Sequence, residues 1–187
     1  MRAALGRLVV VSGASRGVGL GICRAALALD PTAEIVVTAR CLEQAAKVRD
    51  ELLKNMAGAQ PELAQRAHAL QLDVTDDASC EAAAAALSSL GSADRPLSLV
   101  NNAGVAFDLP WFPSPWPVSA AAETLAVNLY GAERLTRAFL PRLLSSVDGR
   151  VVFISSGGGK AWTTMLHGLG SCTTNYAAAR ASQVETI

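Results

Sequence analysis

Five short apolar runs recur along the chain, each of the first four followed by a longer segment with helical spacing. Positions 8–11 (Leu8, Val9, Val10, Val11) form a β-branched run with charge before it and glycine and serine after it. Such a run predicts a parallel strand buried on both faces. Residues 18–29 carry helix formers and stop before Asp30-Pro31, where a proline cannot continue a helix. Further strands are predicted at 35–38, 67–72, 97–100 and 151–154, and further helices at 42–56, 76–90 and 120–144, the last stepped at Gly131. Acidic residues open the 76–90 segment, where a helix dipole favours them. This alternation predicts a doubly wound parallel sheet, helices on both faces, with right-handed crossovers. Two regions break the pattern. Residues 107–118 mix aromatic residues with prolines, and nothing after 156 reads as a strand, although 175–185 has helical character. The aromatic stretch reads as a surface loop pinned by its own side chains or as a pocket wall beside the sheet's carboxyl end.

Length changes this picture little: 187 residues suit one domain with one core. A single domain is expected over 1–187, with 156–187 as an irregular, insertion-like tail. The usual sixth strand and its helix do not follow, so the fold is expected to be incomplete at its carboxyl terminus. Hydrophobic residues make up 51% and charged residues 17%, which excludes a disordered or coiled-coil chain. Sixteen basic and sixteen acidic residues cancel, which argues against a general nucleic-acid or anionic-membrane binder. No apolar stretch approaches a membrane span, and the run at 8–11 is too short for a signal peptide. A cytoplasmic location is expected. Cys23, Cys41, Cys80 and Cys172 form no Cys-x-x-Cys pair, and His68 lies far from His167, so no metal site is expected.

Candidate chemistry gathers at the carboxyl ends of the predicted strands. Ser12-Gly13-Ala14-Ser15-Arg16-Gly17-Val18-Gly19 lies between the first strand and its helix. Glycines there permit a tight turn and close approach of backbone to a pyrophosphate, whose charge meets the helix's free amides. The alternative is packing alone. After the second strand, Thr38-Ala39-Arg40 offers no carboxylate to accept from a ribose diol. Arg40 and Arg16 instead suit a ribose phosphate, which favours NADP(H), the alternative for Arg40 being an ordinary surface charge at a helix start. Asp73-Val74 can meet an adenine through a carboxylate and an amide, or Asp73 can simply cap the next helix. Asn101-Asn102-Ala103-Gly104 brings the chain close to the sugars or ties the fourth strand to its neighbours. Asn128 sits mid-helix, where it either bonds internally or forms a kink whose carbonyl holds a water. Ser155-Ser156 follows the fifth strand, where a hydroxyl can stabilise a developing oxyanion.

Taken together and in this order, these motifs resemble the short-chain dehydrogenase/reductase family, over residues 7–156. The resemblance implies a Rossmann fold with strand order 3-2-1-4-5. Within the family, the residues 101–107, the Glu123-to-Asn128 spacing and Leu140-Pro141 before 149–152 look most like the monomeric carbonyl reductases, which favours a monomer. By resemblance, Ser156 is the catalytic serine and Asn128 the assisting asparagine. Gly13, Ser15, Arg16, Gly17, Val18, Gly19, Arg40, Asp73, Val74, Asn102, Ala103 and Gly104 would hold the cofactor. The family's acid and its partner form a Tyr-x-x-x-Lys after the fifth strand. Only Tyr130 and Tyr176 occur, and Tyr130 follows Asn128 too closely. Tyr176 to Arg180 has the right spacing, but arginine does not replace lysine and the interval from Ser156 is long. Residues 170–187 resemble the start of a segment that carbonyl reductases insert between serine and tyrosine. Tyr176 is therefore expected to belong to that insertion, with the catalytic tyrosine and lysine beyond residue 187. The implied reaction is NADPH-dependent reduction of a small-molecule carbonyl, an aldehyde, ketone or quinone, to an alcohol. A pterin or sugar-like ketone reductase and a non-catalytic dinucleotide-binding module are the alternatives.

Overall fold

The computed structural model describes residues 6–56, 61–107 and 118–155. Five strands form one parallel sheet: β1 (Leu8–Val11), β2 (Glu34–Ala39), β3 (Ala67–Gln71), β4 (Leu97–Asn101) and β5 (Gly149–Phe153), in the order β3-β2-β1-β4-β5. All four pairings are parallel, with Leu8 level with both Glu34 and Leu97. The sequence-based order holds. Between the strands run α1 (Gly17–Leu29), α2 (Leu42–Met56), α3 (Asp77–Ala86), α4 (Val118–Leu125) and α5 (Ala132–Ser145). No described helix is long and apolar enough to cross a membrane.

Alternation along β1 divides the core. Leu8 and Val10 join Val36, Leu97, Leu99 and Phe139 on the face covered by α3 and α5. Val9 and Val11 join Ile35, Val37, Leu27 and Leu52 on the face covered by α1 and α2. A strand covered on both sides has no polar face, which is why β1 reads as an unbroken apolar run. Each fully buried Val or Leu contributes ~1.5–3 kcal/mol relative to exposure. Among the described residues β5 is an edge strand, and Val152 remains 43% exposed.

Three departures from the sequence-based expectation concern the helices. The 76–90 helix ends at Ala86 and continues as a 3₁₀ turn, Leu87–Leu90. Its cap is Asp76, whose carboxylate accepts from the Ala78 amide at 3.1 Å; Asp73 does not cap it. The long 120–144 helix is two helices joined by a π-helical turn, Ala126–Gly131, with Asn128 at its centre. A second 3₁₀ turn, Pro61–Arg66, precedes β3 and was not expected. The aromatic stretch at 108–117 and the tail at 156–187, including Ser156, Tyr176 and Arg180, lie outside the described residues.

Candidate functional site

The turn after β1 is built from two glycines with left-handed backbone, Gly13 (φ 63°) and Gly17 (φ 57°). They serve different ends. A Cβ on Gly13 would stand 2.9 Å from Ala103 Cα, so the turn is pressed against the chain that leaves β4. A Cβ on Gly19 would stand 2.4 Å from the Asn102 amide nitrogen. At Gly17 nothing among the described residues lies within 4 Å of that position. Packing therefore explains Gly13 and Gly19. No described residue gives Gly17 that reason.

Ser12 organises the junction between β1 and β4. Its hydroxyl donates to Val100 O (3.2 Å) and accepts from the Asn102 and Ala103 amides at 2.9 and 3.0 Å. The Asn102 side chain returns the tie, donating to Ser12 O (2.9 Å) and Gly13 O (3.1 Å). Asn101 donates to Thr136 Oγ1 at 2.9 Å, which anchors β4 to α5. The Asn102 amide thus holds the glycine turn in shape, and Gly104 is the exposed end of this segment. Sequence reading singled out the asparagines and placed Ser12 in the glycine loop without a role of its own. Its signal was a small hydroxyl at a strand end immediately before Gly13, where its reach matches two free amides.

Arg16 occupies the position before α1 in extended backbone, and the helix begins with no side-chain cap and no acidic residue in its first turn. Its amides and dipole are open to an anion. Arg16 and Arg40 are both exposed, and neither forms an ion pair among the described residues. Val18 is 62% exposed on the first turn of α1, and Ser15, in the turn before the helix, is half-buried. Thr38, fully buried, donates to Val11 O at 2.8 Å and fixes the end of β2 against β1.

Asp73 and Val74 leave β3 on the same edge. The Thr75 amide and hydroxyl donate to Asp73 Oδ1 at 2.9 and 2.7 Å. Burial works against the charged carboxyl, but the two Thr75 bonds and the Arg40 and Arg134 guanidiniums outweigh it and hold its pKa below the ordinary carboxylate range. Asn128 is fully buried. Its amide makes a two-way bridge to the Val105 backbone: Oδ1 accepts from the Val105 amide (2.8 Å), and Nδ2 donates to its carbonyl (2.7 Å). The Val105 bridge supplies the internal bond of the first reading and leaves the second, a kink whose carbonyl holds a water, open. The π turn around it relaxes the regular i+4 ladder, a feature common at functional sites. Ser155, just past β5, is exposed. Cys23 and Cys80 offer no nucleophile, since burial pushes their thiols up to about 12 and about 11.

The sequence profile of the short chain dehydrogenase family matches residues 7–182. Estradiol 17-beta-dehydrogenase 2 of Mus musculus is 32% identical over 176 residues, which are 94% of this chain and 41% of that protein. The Caenorhabditis elegans protein Sniffer, assigned as a carbonyl reductase, superposes with a TM-score of 0.73 at 29% identity, covering 96% of this chain and 75% of that one. A metagenomic short-chain oxidoreductase solved with NADP gives 0.73 at 27% identity, covering 98% and 74%. The chain spans less than half the length of the mouse relative. With the profile matched across nearly all of it, and the glycine turn and strand order in place, the chain belongs to the short-chain dehydrogenase family and has that family's dinucleotide-binding fold.

Proposed function

We propose that this chain carries the cofactor-binding part of an NADPH-dependent carbonyl reductase that converts an aldehyde, ketone or quinone to an alcohol. The observation that carries the reading is the Gly17 turn. Among the described residues nothing stands against this left-handed glycine, no side chain caps the α1 amides beside it, and the exposed Arg16 and Arg40 have no ion-pair partner. These features fit a dinucleotide. The α1 amides take the pyrophosphate. Arg16 and Arg40 take the ribose phosphate with planar, permanently charged forks. Asp73 and the Val74 amide meet the adenine, and Asn102, Ala103 and Gly104 run beside the sugars. When bound, the nicotinamide supplies the hydride. The Ser156 hydroxyl donates to the substrate's carbonyl oxygen as it gains charge. Asn128 holds Val105 behind the site, and the π turn lets a backbone carbonyl take a water. The likeness to Sniffer supports the carbonyl-reductase branch, and the NADP-bound relative supports the cofactor.

Titrating NADPH and NADH against the full protein tests the cofactor. NADPH is expected to bind at least about tenfold tighter, ~1.4 kcal/mol. Arg40→Ala should narrow the gap by weakening NADPH alone. Equal affinities in the wild type refute the assignment. In the same protein, Tyr176→Phe should leave carbonyl reduction within about threefold of wild type, because loss of a true general acid costs about 10²–10⁴-fold. A hundredfold loss with unchanged NADPH binding would make Tyr176 the acid.

A further inference from the structure

We infer that Arg134 is a positioning residue for the adenine end of the cofactor: from α5 it holds the Asp73–Val74 turn in the shape that reads the base. This rests on the dinucleotide reading above and assigns a role to a residue that touches neither cofactor nor substrate.

The turn is fixed at both ends and open in the middle. At its start, the Asp73 amide donates to Ser79 Oγ at 2.9 Å. At its end, the Val74 carbonyl accepts from Arg134 Nη1 at 2.8 Å, across 60 residues of sequence. The same guanidinium donates through Nε to Asp77 Oδ1 at 3.0 Å, in the first turn of α3. Two acceptors on two elements fix the plane of the fork, and hence the direction of the Val74 carbonyl. Gly131, one turn before Arg134, brings α5 close enough. A Cβ there would stand 2.8 Å from Val74 Cγ2, so any larger residue would push the turn outward.

Between the two anchors lie the groups a purine edge requires. Both Thr75 bonds fall on Asp73 Oδ1, so Oδ2 carries no hydrogen bond among the described residues. The Val74 amide likewise has no acceptor there, although Val74 is only 7% exposed. An acceptor beside a donor matches adenine, which presents an amino group beside a bare ring nitrogen. Hypoxanthine presents the reverse, an oxygen beside a ring N–H. Base selectivity therefore reports directly on how well the turn is aimed.

The test compares equilibrium binding of NADPH and its hypoxanthine analogue to the full protein. Wild type is expected to prefer the adenine form by about tenfold or more. Arg134→Met keeps the stem but loses both donors, and it should bring that ratio below about threefold. Its preference for NADPH over NADH should stay within about twofold of wild type, because Arg16 and Arg40 are untouched; general loosening would erode both. Asp77→Ala frees the fork from its exposed anchor without emptying buried space, and its ratio should fall between the two. A wild-type ratio retained in Arg134→Met, or in Asp77→Ala if Arg134→Met does not fold, overturns the inference. So does a wild type that binds both forms equally, which leaves dinucleotide binding intact. A wild type that binds neither form defeats the dinucleotide reading and this inference with it.

Discussion

At the amino end of the sheet, Arg7, Arg66 and Arg95 each hold partners from distant elements, whereas the side chains of Arg16 and Arg40 at the carboxyl end form no ion pair or hydrogen bond among the described residues. Arg7 donates to Ser98 Oγ (3.0 Å) and pairs with Asp148, which also pairs with Arg150 at 2.8 Å. Arg66 closes the end of α1, donating to Ala33 O and Asp30 O at 2.8 and 2.6 Å. Arg95 reaches Glu34 at 2.7 Å, and Glu34 meets His68 at 2.8 Å. The same residue type thus does opposite work at the two ends. Where its partners belong to the chain, arginine locks strands and helices together. Where no described residue pairs with it, the charge stands exposed beside a loop of small residues, as a bound anion requires. Breaking one end should cost stability, and breaking the other should cost binding.

The largest expected effect lies at the amino end. Arg95 is 3% exposed and donates to Gly6 O (2.6 Å) and Leu90 O (2.9 Å) as well as to Glu34. Arg95→Met would leave these acceptors short of a donor, at a cost of about 3 kcal/mol. Urea unfolding measures the loss, and NADPH affinity of the folded protein should stay within about twofold. A loss under about 1 kcal/mol, or an equal drop in affinity, would collapse the distinction between the ends.

Two glycines only two positions apart sharpen it further. In Gly19→Ala the new methyl meets Asn102 Nδ2 at 2.4 Å and Gly13 O at 2.6 Å, so the Asn102 tie must shift. About 2 kcal/mol of stability should go with it. In Gly17→Ala the methyl meets none of the described residues, and left-handed backbone costs an alanine about 1 kcal/mol. Its main effect should instead be on NADPH, which should bind at least about tenfold more weakly. The comparison fails if Gly17→Ala binds as wild type does.

Legibility in the sequence followed the same division. The strands were readable because burial on both faces removes polar residues from runs such as Val9-Val10-Val11, and their order followed with the family resemblance. The carboxyl-end loop was readable because left-handed backbone at Gly13 and Gly17 and close packing at Gly19 leave few other choices. What stayed hidden depends on long-range contact. Ser12 gains its role only when β4 delivers two amides, and Arg134 only when α5 crosses over Val74. Asn128 was conspicuous as a mid-helix asparagine, yet its partner Val105 belongs to a different segment. The amino-end cluster of Glu34, His68 and Arg95 was not noticed at all. Its members are scattered, and nothing in the local spacing joins them.

The smallest expected effect concerns acid stability. Burial would raise the Glu34 carboxyl, but hydrogen bonds from Arg95 and His68, together with their charges, hold it below the ordinary carboxylate range. A carboxyl depressed in the folded state stabilises fully above its unfolded pKa and loses that contribution as pH falls through the folded value. Stability should therefore decline from about pH 5 downward, with Glu34 responsible for part of the slope. Glu34 is partly exposed, so that part is modest. Glu34→Gln keeps an acceptor of similar shape without the titration, and its stability should vary less steeply with pH in the same range. NADPH should not alter the difference, because Glu34 lies at the far end of β2 from Arg40. Asp73, also depressed but at the carboxyl end, offers the contrast: Asp73→Asn should change the acid slope by an amount that depends on bound NADPH. Unfolding curves across pH, with and without NADPH, separate the two carboxylates. An acid slope in Glu34→Gln equal to that of wild type would remove the amino-end cluster from the account of acid stability.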